Sequence, residues 1–101
     1  MGIDVRLKRE DGEVIGEVDD FRTTLSRATS GPLTSTRLLR YLVPWGDAIF
    51  NQAQAGDLID DIHQILRSHP GTPLAELLAS VEPLVQRLSN ETHAYLWFVG
   101  D

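Results

Sequence analysis

Ala94-Tyr95-Leu96-Trp97-Phe98-Val99 is an apolar run with no polar alternation. A continuous β-prone run of this length suits a central strand covered on both faces. In a strand, Ala94, Leu96 and Phe98 face one way and Tyr95, Trp97 and Val99 the other. Such a strand needs neighbours. Ile3, Val5 and Leu7 alternate with Asp4, Arg6 and Lys8, the pattern of a half-buried strand. Arg9-Glu10-Asp11-Gly12 then supplies a turn, and Glu13 to Val18 reads as the returning strand. Gly16 marks a thin spot or a bulge in it. Residues 2–18 are therefore expected to form a β-hairpin, with the last strand beside Ile3–Leu7.

The segment between hairpin and last strand reads as helical. Asp19 and Asp20 suit a helix N-terminus, with Phe21, Leu25 and Ala28 on one face. Gly31-Pro32 stops that helix. Thr34 or Ser35 begins a second short helix bearing Leu38, Leu39 and Leu42, ended by Pro44. Pro44-Trp45-Gly46-Asp47 is a turn signal, and Ala48-Ile49-Phe50 is too short to classify. Asn51 or Asp57 caps the next helix, where Leu58, Ile59, Ile62, Ile65 and Leu66 match the i, i+3, i+4, i+7 template. Its outer arc takes Asp57, Asp60, Asp61, His63 and Gln64.

His69-Pro70-Gly71 breaks this helix. Thr72 caps another, with Pro73 at its first position. Leu74, Leu77, Leu78, Val81, Leu84, Val85 and Leu88 form its apolar stripe. Pro83 lies inside the stripe and predicts a kink near residues 79–83 or two abutting helices. The expected fold class is α+β with order ββααααβ: a three-stranded sheet, N-terminal hairpin plus C-terminal strand, packed with short helices. The chain reads as a single domain over residues 1–101.

Four short helices cover one face of such a sheet more readily than two. Part of the face near Tyr95 and Trp97 is thus expected to stay open as a self-association surface, because exposed apolar patches commonly mark interfaces. The competing expectation is that the helix after residue 53, or the Trp45 loop, wraps over it.

Composition narrows the chemistry. The 101 residues include 15 acids, 9 bases and 3 histidines, a formal net charge of −6, with 42% apolar and 24% charged residues. These are proportions of one globular domain. Without cysteine there is no disulfide framework, thiol nucleophile or thiolate metal site. No apolar run reaches the roughly 18–20 residues of a membrane span. The N-terminus lacks a basic segment followed by an apolar stretch, so no signal peptide is read and a cytoplasmic location is expected. Residues 1–40 hold seven acids and seven bases, whereas residues 41–101 hold eight acids against Arg67 and Arg87 alone. That balance lacks the cationic footprint of nucleic-acid or anionic-membrane binding. It is more compatible with a basic protein partner or a cation.

Catalytic signatures are absent. Gly12 to Gly16 lacks the remaining glycine of a dinucleotide fingerprint, and no Gly-Lys-Ser/Thr element occurs. No serine sits in Gly-x-Ser-x-Gly. Asp57, Asp60, Asp61 and His63 share one helix, and carboxylates with histidine can hold cations. Acids are nevertheless favoured in early helix turns, so the cluster reads as a solvated face, with no metal site and no cofactor. His69 is expected exposed in its loop and His93 packed at the sheet edge.

Tyr41, Trp45, Asp47, Phe50 and Asn51 form the densest mix of aromatic and polar groups. They read either as a binding loop or as a plug in which Trp45 and Phe50 tuck under the sheet.

Tyr41-Leu42-Val43-Pro44-Trp45-Gly46-Asp47-Ala48-Ile49-Phe50-Asn51-Gln52-Ala53-Gln54 resembles a motif, Pro-aromatic-Gly-Asp-Thr-x-Phe-Asn-x-x-Gln, of a group of small actinobacterial proteins with no assigned activity. Members also begin with a hairpin like Ile3–Val18 and end, as Tyr95 to Asp101 does, in an aromatic strand followed by Gly-Asp. Ala48 stands where the group has threonine. The resemblance implies a compact bacterial domain and no mechanism, and it draws attention to Asp47, Asn51, Gln54 and Asp101.

The expected binding residues are Trp45, Asp47, Asn51, Gln54, Tyr95, Trp97 and Asp101, with no catalytic set. The expected function is a non-catalytic protein-interaction domain of a regulatory or immunity-like kind, with a protein partner or a homodimer. The alternative is a small ligand- or metal-binding domain or enzyme using Asp47, Asn51 and Asp101.

Overall fold

A computed structural model describes residues 2–20 and 22–100. Phe21 and Asp101, both named above, lie outside the described residues. Strands β1 (Asp4–Arg9) and β2 (Val14–Val18) form the expected hairpin. A short helix α1 (Thr24–Ala28) follows, then 3-10 turns over Pro32–Ser35 and Leu39–Tyr41. Strand β3 (Asp47–Phe50), a 3-10 turn over Gln52–Gln54, α2 (Ala55–Ser68), α3 (Pro73–Ser89) and β4 (Ala94–Val99) complete the chain.

The sheet has four strands, not three, in the order β2-β1-β4-β3, with every neighbouring pair antiparallel. The apolar run at the C-terminus is central, as its composition predicts. Its unanticipated neighbour is Ala48-Ile49-Phe50, which with Asp47 pairs to β4 so that Ile49 lies opposite Trp97 and Phe50 opposite Leu96. A four-residue strand carries too little periodicity to be read locally. Here it forms because β4 offers a free edge and the Phe50 ring meets Phe98 edge-on, 5.7 Å between centroids.

The second expected helix does not form. The apolar spacing of Leu38, Leu39 and Leu42 instead serves two 3-10 turns, with Leu33, Leu39 and Leu42 buried. The reason is Asp61. Its carboxylate accepts from the backbone amides of Arg37, Leu38 and Leu39 at 3.0, 2.8 and 3.1 Å. Those amides are committed to a side chain from α2. Asp61 itself is only 1% exposed, which corrects its expected place on the outer arc. A buried carboxylate needs such donors.

Asp20 plays the matching role at the other end of the core. It is 5% exposed and accepts from the amides of Ile3, Thr24 and Leu25 at 3.1, 2.7 and 3.0 Å. It thereby caps α1, as its acidic character suggests, and also ties that helix to the start of β1.

Helix α2 ends at Ser68 before the His69-Pro70-Gly71 break, and Gly71 takes a positive φ of 74°. The Thr72 side chain then accepts from the Ala75 amide at 3.2 Å, with Pro73 at the first helical position. Helix α3 continues through Pro83 as one element, so the reading as two abutting helices is set aside. In the β1–β2 pairing, Leu7 lies opposite Gly16 and Lys8 opposite Val14, leaving Ile15 as the extra residue of a bulge. Arg87 on α3 donates to the Ile15 carbonyl at 3.0 Å. A Cβ at Gly16 would collide with the Leu84 side chain, so its absence lets α3 lie close on the sheet.

The core sits on one side of the sheet. Val5, Leu7, Phe50, Ala94, Leu96 and Phe98 are buried there against Leu58, Ile62, Ile65, Leu78, Val81, Val85 and Leu88. β4 alternates between fully and partly buried residues, so its apolar composition does not mean burial on both faces. No described helix is long and apolar enough to cross a membrane.

Candidate interaction surface

The two motif segments meet. The Gly100 amide donates to the Gly46 carbonyl at 3.0 Å. A Cβ at Gly100 would lie 2.5, 2.7 and 2.8 Å from the carbonyl oxygens of Gly46, Pro44 and Val43. Only glycine lets the chain after β4 approach the Pro44-Trp45-Gly46 turn so closely. The approach holds the turn at the start of β3, beside the end of β4.

Trp45 on that turn is 74% exposed, so of the two expected plug residues only Phe50 enters the core. Tyr41 is also exposed, with the Arg40 guanidinium 5.0 Å from its ring centroid.

The sheet face away from the helices carries the remaining aromatic residues. Across it Glu17, Arg6, Trp97 and Ile49 stand in successive register positions on β2, β1, β4 and β3. Val99 stands between Asp4 and Asp47, and Tyr95 lies opposite Lys8. Tyr95, Trp97 and Val99 are half-buried, and Ile49 and Val14 are exposed. The Lys8 ammonium sits 4.5 Å from the centroid of the Trp97 ring, a cation–π contact. Arg6 lies between Glu17 and Asp4, with nitrogen–oxygen distances of 3.5 and 3.7 Å. The charged groups of this face are thus largely satisfied among themselves and frame the apolar residues.

The expected binding residues divide into two sets. Asp47, Tyr95 and Trp97 share the open face, with Trp45 on the adjoining turn. Asn51 and Gln54 serve the chain locally: the Gln54 side chain accepts from the Asn51 amide at 2.9 Å, closing the turn before α2. The best-formed clefts of the described surface lie elsewhere, and neither Asp47 nor Asn51 lines them. Ile49, Lys8 and Arg6 belong with Trp97 and were not singled out. The alternation of Asp4, Arg6 and Lys8 was a usable signal for two of them.

Several histidines and acids outside this face have local partners. His63 Nε2 lies 3.0 Å from Glu82 across α2 and α3, Arg37 pairs with Asp57 at 3.3 Å, and exposed His93 lies 3.3 Å from Glu10. Among the described residues no three histidines or acids are gathered as metal ligands would be. The fold and surface define an α+β domain with a one-sided antiparallel sheet. Compared with protein-family models, curated proteins and solved structures, the chain matches none of them.

Proposed function

We propose that this domain is a non-catalytic protein-interaction module whose contact surface is the open sheet face and the adjoining Trp45 turn. The observation that supports it is the alignment of Ile49 with Trp97, next to a tryptophan that is 74% exposed. Tryptophan is costly to leave in water and is enriched among the residues that carry binding energy. The face holds Asp4, Glu17 and Asp47 against Arg6 and Lys8, a balance suited to a protein partner rather than to a phosphate backbone.

The first partner to test is a second copy of this chain. Strand β3 is an edge strand, and edge-to-edge pairing of β3 with its copy would extend the sheet and its open face together. Native mass spectrometry of protein drawn gently from its host would read a dimer or a heteromeric complex directly. The expected result is such an assembly, weakened by Trp45→Ala and Trp97→Ala while circular dichroism stays native. A hot-spot tryptophan is worth about 2 kcal/mol or more, roughly a thirtyfold loss of affinity. A bare monomer, or affinity unchanged in both variants, would overturn the proposal. The rival reading as an enzyme built on Asp47, Asn51 and Asp101 has less support, since the Asn51 side chain is engaged in the capping box that closes the turn before α2.

A further inference from the structure

A cleft of about 650 Å³ opens among α1, the Pro32–Ser35 turn and the loop joining α2 to α3. It shares no residue with the open sheet face. Ala28, Pro32 and Leu74 give it an apolar floor, and Arg22, Arg27 and His69 stand around it. Among the described residues no acidic side chain lines it, although the chain carries a formal net charge of −6. Among the described residues, neither Arg22 nor Arg27 enters a salt bridge. We propose that this cleft binds a small amphiphilic carboxylate, its apolar body on Ala28, Pro32 and Leu74 and its anionic head on the arginines.

Each element of the site supports that class. The volume falls in the range of small-molecule sites, roughly 300–1,000 Å³, which are mostly apolar with a few placed polar groups. A guanidinium pairs with a carboxylate through two parallel hydrogen bonds. Arg27 is partly positioned already, since its Nε donates to Thr23 Oγ1 at 3.1 Å. His69 is held at the rim, its Nδ1 2.8 Å from Ser68 Oγ, whose own proton goes to the Gln64 carbonyl. The adjoining cleft shares Arg22 but carries Asp19 and Glu76, so of the two arginines Arg27 is the main partner of the anionic head. The apolar floor selects an amphiphile over a bare inorganic anion, because an inorganic anion would leave that surface uncovered.

The test is a titration of isotope-labelled protein with 4-phenylbutyrate, followed by amide NMR. Its uncharged amide, 4-phenylbutyramide, and inorganic phosphate serve as controls. Saturable shifts are expected at Ala28, Thr72 and Leu74, with Ile49 and Trp97 unmoved. Affinity should fall about tenfold for the uncharged analogue and about tenfold for Arg27→Gln, the loss of one charge-assisted contact. Phosphate should bind more weakly than phenylbutyrate. Both arginines are exposed, so the variants should fold, and Arg22→Ala provides a second probe. No saturable shift at millimolar ligand, equal binding of the amide, equal binding of phosphate, or indifference to both arginine substitutions would overturn the assignment. Shifts confined to the Trp97 face would also overturn it, and the oligomeric state is read separately from all of these.

Discussion

Gly100 and Gly46 are joined by a backbone hydrogen bond of 3.0 Å that locks the turn bearing Trp45 to the end of the central strand. Two segments that stand apart in the sequence are thereby one structural unit. The close approach that goes with the bond accounts for the glycine at position 100 without invoking chemistry. The neighbouring polar residues Asn51 and Gln54 find the same kind of explanation in the turn that begins α2.

Gly100→Ala should therefore be destabilising. Its methyl group would lie 2.5–2.8 Å from three carbonyl oxygens, and backbone must shift to admit it. Overpacking of this kind costs about 1–3 kcal/mol. Urea denaturation should show a lower midpoint at unchanged slope, and an unaltered midpoint would contradict the close approach.

Asp61→Ala removes the acceptor for three amides, one of them at buried Leu39. Leaving a buried donor unsatisfied costs about 1–3 kcal/mol. Hydrogen exchange at Leu38 and Leu39 should accelerate together. Asp61→Asn, which keeps one acceptor oxygen, should lose less. Equal exchange in Asp61→Ala and the native chain would show that Asp61 does not organise the turns.

Gly16 and Leu84 should be energetically coupled. Gly16→Ala alone brings its methyl group onto the Leu84 side chain. Leu84→Ala should relieve part of that strain, giving a coupling of about 1 kcal/mol in a double-mutant cycle. Additive effects would argue against direct contact.

Trp45→Ala should leave stability within about 0.5 kcal/mol, as expected of a surface substitution. The residue is 74% exposed. Thermal unfolding at a concentration where the chain is monomeric measures this, and sedimentation equilibrium reads the loss of self-association separately. A large loss of stability would mean that Trp45 packs into the fold.

Much of the fold was legible locally. The alternation of Ile3, Val5 and Leu7, the Asp11-Gly12 turn and the Thr72-Pro73 helix start each express a short-range rule, and each appears in the structure where expected. The apolar stripes of α2 and α3 did as well, because side chains at helical spacing sort to one face whatever they pack against. The central place of Ala94–Val99 was legible for a related reason: a run this apolar belongs between other strands.

Other features depend on partners distant in sequence. Ala48-Ile49-Phe50 becomes a strand only because β4, almost fifty positions later, provides a ladder for it. Leu38 and Leu39 stay out of a helix because a carboxylate from α2 takes their amides. Whether Trp45 is a plug or a surface residue was undecided by its own turn; the close packing of Gly100 against that turn, with Phe50 in the core, decided it. Period and capping are encoded within a few residues. Exposure and long-range pairing exist only once the chain has closed on itself, so the open face around Trp97 is a property of the tertiary structure.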